Sequence, residues 1–168
     1  QRSKSAYQKL LYSKQNKRNS KSIRTMKLNP NEKNAFEALW QLIKFSNITV
    51  TARSLKNTLL QHQNATTLLG MSDVLNEFNI PNLATKLSVE QLHTIPLPAI
   101  AYFEANGGTF VTIKKIENDL VEWYHDTAGV FKEPIHNFIH KWHGITLLVE
   151  PNAQSGEVNY KEARKNEI

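Results

Sequence analysis

The spacing of apolar residues changes character about midway along the chain. Phe36, Leu39, Trp40 and Ile43 recur at i, i+3, i+4 and i+7, the stripe of an amphipathic helix that faces a core. Asn29-Pro30-Asn31-Glu32 punctuates the chain just before it. A second helix is expected from Thr51, an N-cap with Val50 and Leu55 as its hydrophobic staple, and Leu59 and Leu60 continue the apolar face. His62-Gln63-Asn64 interrupts that face, and Thr66 or Thr67 caps a third helix turning Leu68, Met71, Leu75 and Phe78 inward.

Beyond Phe78 the pattern becomes that of strands. Ala84 to Leu87 reads as a short strand, and Ser88 with Gln91 forms the capping-box pattern of a brief helical turn. Pro96 and Pro98 lead into the apolar run Ala99 to Phe103, and Asn106-Gly107-Gly108 signals a hairpin. Thr109 to Ile113 pairs back, Glu117-Asn118-Asp119 turns, and Leu120 to Tyr124 makes a third strand. Pro134 opens a last helix with Ile135, Phe138, Ile139 and Trp142 on one face and Gly144 placed to end it. Ile145 to Val149 is a closing strand stopped by Pro151, and the polar tail from Asn152, expected to be mobile, has a helix start near Tyr160. Helices first and an antiparallel meander afterwards make an α+β fold, a helical N-terminal half packed on an antiparallel sheet.

Composition narrows the chemistry. A hydrophobic fraction of 40% in 168 residues allows one well-buried core. The chain contains no cysteine, which excludes disulfides, thiolate metal sites and a cysteine nucleophile. The net charge of +6 is unevenly spread. Residues 1–28 carry nine Lys or Arg and no acid, whereas the remainder has 12 basic and 15 acidic residues. Three segments follow: a flexible basic arm or linker over 1–28, a globular domain over 29–151, and a polar tail over 152–168 that could lead into a membrane segment.

Few residues suggest catalysis on their own. His136 and His140 stand at i, i+4 with His143 close behind, a spacing able to place two imidazoles toward a metal. Asn137 occupies the place where the metalloprotease pattern requires Glu, so a solvent-facing role is favoured and no metal is expected. His125-Asp126 could serve acid–base chemistry, or could close a turn after a strand. The arm's lysines and arginines could meet nucleic-acid phosphates, but the acidic globular part carries no nucleic-acid motif. A linker or a segment lying on an anionic membrane surface is the preferred reading of the arm.

Five stretches, in their order and spacing, point further. Ile95-Pro-Leu-Pro-Ala-Ile-Ala101, Gly107-Gly-Thr-Phe-Val-Thr-Ile113 and Trp142-His-Gly-Ile-Thr-Leu-Leu-Val-Glu-Pro151 carry most of the pattern, with Val50 to Leu55 and Thr67 to Ser72 in the helical half. Residues 31–151 thereby resemble the bacteriocin-processing, papain-like cysteine peptidase family. Its domains stand at the N-terminus of peptide-exporting ABC transporters, and related ones precede vitamin K epoxide reductase-like membrane proteins. The resemblance places the family's nucleophilic cysteine near Asn34, its catalytic histidine near Thr109 and its oxyanion glutamine near Leu28; only its orienting aspartate has a counterpart, Asp126.

With thiol, imidazole and amide replaced, papain-type catalysis loses its parts. The resemblance then implies a catalytically inactive, peptidase-like domain with a groove near Asn34, Thr109 and Asp126. Its partner would be a peptide or the membrane domains of its own parent transporter, at the cytoplasmic face of a bacterial inner membrane, or in the cytoplasm if the domain is free-standing, with no cofactor. The alternative is a regulatory or tethering domain of a membrane thiol-redox protein of the vitamin K epoxide reductase-like kind. A residual option is hydrolysis by an unrelated arrangement of His125, Asp126 or the His136/His140 pair.

Overall fold

The computed structural model describes residues 27–167; the basic arm read over 1–28 lies almost wholly outside the described residues. Helix α1 (Pro30–Phe45) opens with a reciprocal capping box. Asn29 Oδ1 accepts from the Glu32 amide at 2.8 Å while Glu32 Oε1 accepts from the Asn29 amide at 3.1 Å. Pro30 occupies the first turn, where its missing N–H is not needed. Helices α2 (Ala52–Gln61) and α3 (Leu68–Glu77) are capped by Thr51 and Thr67, which decides between Thr66 and Thr67. The turn α4 (Val89–Leu92) is capped reciprocally by Ser88 and Gln91.

Six antiparallel strands form one sheet: β1 (Asn82–Lys86), β2 (Ala99–Phe103), β3 (Thr109–Glu117), β4 (Leu120–His125), β5 (Gly129–Pro134) and β6 (Trp142–Val149). Their order is β1-β6-β2-β3-β4-β5. Helix α5 (Ile135–Lys141) joins β5 to β6, and α6 (Tyr160–Asn166) follows the sheet. No helix among the described residues is long and apolar enough to cross a membrane.

Both faces of the sheet are covered, which explains the near-continuous apolar runs of β2 and β3. Ile100 and Phe110 point into a core with Leu39, Leu42, Leu55, Met71 and Leu75 of the three long helices. Their neighbours Ala101, Phe103, Val111 and Ile113 point the other way, into a second core closed by Phe138 and Trp142. Within α1, Leu39 and Ile43 are buried as expected, but Phe36 and Trp40 only border the core, and Ala35, Ala38 and Leu42 complete the inward face.

Four local expectations are corrected. Strand β1 begins two residues before Ala84, paired along its length with β6 from Asn82↔Val149 to Lys86↔Ile145. Strand β5 is absent from the sequence reading, because Val130 and Phe131 stay exposed on this sheet-edge strand and show no clean alternation. Pro134 ends β5 rather than starting the helix turn. Gly144 does not end a helix but lies inside β6 at φ +103°, where a Cβ would stand 2.6 Å from the Leu87 carbonyl oxygen. Leu87 donates its N–H to the Gly144 carbonyl at 2.8 Å, so the two backbones approach closely and only glycine fits.

The segment after Pro151, expected to be mobile, returns to the helical half. Gly156 donates to the Phe78 carbonyl and Glu157 to the Thr49 carbonyl, each at 2.8 Å. The Glu157 carboxylate then accepts from the Thr51 amide at 2.8 Å and from the Ser54 hydroxyl at 2.6 Å. It thereby satisfies the open amide end of α2.

Candidate functional site

A cleft of about 550 Å³ opens where the start of α1 meets the ends of β3 and β4. Asn34, Thr109 and Asp126 all line it, together with His125. The helix supplies Asn34 one turn after its cap. Strand β3 supplies Thr109 as its first residue, and Asp126 follows the last residue of β4. Residues far apart in sequence are thus brought together by the packing of α1 across β3.

Asn34 is fully engaged. Its Oδ1 accepts from the Phe110 amide at 2.8 Å, and its Nδ2 donates to the Phe110 carbonyl at 3.0 Å and to Asp126 Oδ1 at 2.8 Å. One acceptor and two donors meet one donor and two acceptors, so the partners fix the amide's orientation. The reason lies in the ladder. Thr112 pairs with Tyr124, and continuing that register would set Phe110 opposite Asp126. The Asn34 amide stands between them and completes the Phe110 backbone bonds that β4 does not make. Two residues on, the Thr112 hydroxyl donates to the Ala38 carbonyl at 2.8 Å and fastens the same helix again.

His125 has both ring nitrogens occupied. Nδ1 lies 3.3 Å from the amides of Thr127 and Ala128 and 3.1 Å from the Thr127 hydroxyl. It therefore serves as the acceptor, and the hydrogen resides on Nε2. Nε2 faces Thr109 Oγ1 at 2.9 Å and Asp126 Oδ1 at 3.3 Å. In a hydrolytic triad the carboxylate holds one nitrogen while the bare second nitrogen faces the hydroxyl. Here hydroxyl and carboxylate share a single nitrogen that already carries hydrogen, so His125 is not placed to activate Thr109. The neighbouring Tyr124 hydroxyl titrates above its ordinary value, first because burial disfavours the phenolate, then because of the Glu37 and Asp126 carboxylates.

One wall of the cleft is aromatic, and sequence reasoning missed it. Trp123 and Phe131 are cross-strand partners, stacked at 4.9 Å and 13°, with Phe103 edge-on to Trp123 at 5.3 Å. Glu133 accepts from Trp123 Nε1 at 2.6 Å and from Lys141 Nζ at 2.6 Å, which holds the lysine 5.3 Å from the indole ring. The signal was available only in the β4–β5 register, which brings Trp123, Phe131 and Glu133 together once β5 is known.

Other sequence candidates stand apart from the cleft. Leu28 is half-buried and offers no side-chain donor; the rim beside it is made by Pro30 and Asn31. His136, His140 and His143 are all exposed. Among the described residues no group of three or more His, Cys, Asp or Glu could hold a metal ion.

Comparison with known proteins identifies the lineage. The model of the Peptidase C39 family matches residues 25–154. No curated protein matches the chain significantly. Among solved structures it is similar to a double glycine motif protease from an AMS/PCAT transporter in complex with the leader peptide: TM-score 0.63, 17% identity, covering 76% of this chain and 89% of that one. It is also similar to the peptidase domain of Streptococcus ComA, a bi-functional ABC transporter involved in a quorum sensing pathway: TM-score 0.62, 12% identity, covering 75% and 96%. A third is the N-terminal peptidase C39 like domain of the toxin secretion ATP-binding protein from Vibrio parahaemolyticus, at TM-score 0.59 and 15% identity, covering 75% and 100%. At such identities these likenesses establish the papain-like fold and not the activity. With more than half its length matched by one family model, the chain belongs to the Peptidase C39 family.

Proposed function

We propose that the domain binds an extended peptide in this cleft without cleaving it, as a substrate-recognising or docking module of an ABC exporter at the cytoplasmic face of the membrane. The observation that carries this reading is Asn34. It stands where the resemblance expects a thiol, and its amide is consumed in holding β3 and Asp126 in place. Thr109, at the expected histidine position, receives a hydrogen bond from His125 Nε2 instead of offering a base. A thiol cannot come from elsewhere in the chain, which has no cysteine.

The cleft itself remains open and keeps an apolar wall of Phe103, Trp123 and Phe131. Aromatic walls with a few polar groups at the base suit an extended peptide. The similar transporter protease holds a leader peptide, which favours an exporter partner over a membrane redox protein.

The test combines binding with product analysis. Leader peptides of the double glycine type are titrated into labelled protein. Shifts are expected at Asn34, Thr109 and Asp126, with the peptide intact by mass spectrometry after long incubation. Cleavage by the purified chain, or binding confined to another face, overturns the proposal.

A further inference from the structure

Among the described residues, Asp126 carries one oxygen without a partner. Its side chain is only 6% exposed. Oδ1 accepts from Asn34 Nδ2 at 2.8 Å and lies 3.3 Å from His125 Nε2. Oδ2 has no hydrogen-bond partner among the described residues. It is not sealed in, because among the described residues the enclosed and unpartnered side-chain atoms are Ser46 Oγ and Asn57 Oδ1. Asp126 lines the cleft, so that remaining access is to the cleft.

Among the described residues no cation lining the cleft is free to meet it. Lys141 is held by both oxygens of Glu133, at 2.6 and 2.7 Å. His125 turns one hydrogen toward Asp126 and Thr109, and its other nitrogen toward the Thr127 and Ala128 amides. A carboxylate nine-tenths withdrawn from water, with one oxygen reached only from the cleft, is poorly solvated in the free protein. A positively charged donor arriving with a ligand makes a charge-assisted hydrogen bond there. Phe131, 43% exposed at the same cleft, offers an apolar shelf for the residue beside it.

We infer that the cleft selects peptides that bring a cationic nitrogen to Asp126 Oδ2, either a lysine or arginine side chain or a free amino terminus. The inference rests on the peptide-binding reading and adds the chemistry of the ligand. It gives the aspartate a recognition role that needs neither thiol nor imidazole.

Calorimetry on the full chain tests it with four peptides of one length. The first is the acetylated, amidated hexapeptide Ala-Leu-Lys-Phe-Ala-Ala. The second replaces lysine by norleucine, the third by acetyl-lysine, and the fourth is the norleucine peptide with a free amino terminus. The charged peptides are expected to bind about tenfold tighter than their neutral counterparts, with the advantage lost in Asp126→Asn. A gain for the lysine peptide assigns the side chain as the source, and a gain for the fourth assigns the terminus. Equal binding of all four, or an advantage that survives Asp126→Asn, overturns the inference and leaves peptide binding standing. No binding by any of them overturns the peptide-binding reading and this inference together.

Discussion

Asn34 shows how one side chain can brace a site. Its amide replaces a missing stretch of β-ladder, pairing both backbone groups of Phe110 and restraining Asp126. Asn34→Ala leaves those buried groups unpaired and is expected to cost about 2–4 kcal/mol in urea unfolding. Asn34→Cys is expected to cost nearly as much, because a thiol of similar bulk cannot donate twice and accept once. A variant as stable as the parent would show that the amide does not brace β3. Gly144 makes a comparable case through its backbone. At φ +103° and with the Leu87 carbonyl oxygen 2.6 Å from a would-be Cβ, Gly144→Ala is expected to destabilise by about 1–3 kcal/mol in the same measurement.

At the scale of elements, the decisive contacts join segments whose local sequence says nothing of each other. Glu157 closes the N-terminus of α2 through the Thr51 amide and the Thr51 and Ser54 hydroxyls. Arg53, in the same turn, donates its amide to Glu167 at 3.2 Å. The tail therefore acts as a distant cap. Glu157→Ala is expected to lower stability by about 1–2 kcal/mol and to speed hydrogen exchange in both the first turn of α2 and α6. Faster exchange in α6 alone would mean that the tail does not support α2. The helices, their caps and the β2–β3 hairpin were readable because periodicity, Thr and Asn caps and the Asn106-Gly107-Gly108 turn are local signals. Strand β5 was not, since an edge strand with Val130 57% exposed breaks the alternation that marks a strand.

For the whole molecule, the packing of α1 across β3 produces both the core and the cleft, so changes in the cleft are felt as stability. Tyr124 reports on this junction. Its hydroxyl donates to Glu37 of α1 at 3.4 Å, and burial, followed by the Glu37 and Asp126 charges, raises its titration above 10.0. Below the ordinary tyrosine value both folded and unfolded chains hold the proton, and the contribution is whole. As pH rises past that value the unfolded chain loses its proton first, so stability falls until the folded value is passed. Tyr124→Phe is expected to flatten this alkaline fall in thermal melts taken between about pH 9 and pH 12. An unchanged slope would assign the fall to other groups.

The sequence by itself determined the class of the fold, the caps of its helices, the absence of a thiol and the family resemblance, because each depends on residue identity or short-range spacing. It also pointed to Asn34, Thr109 and Asp126, though only by resemblance and not by contact. Tertiary structure decided what those residues do to one another: that the Asn34 amide completes a ladder, that His125 uses its Nδ1 on nearby amides, and that, among the described residues, one oxygen of Asp126 is left to the cleft. Hydrogen-bond partners 76 or 92 residues apart carry no local signature. They exist only once a helix has crossed a sheet at one register.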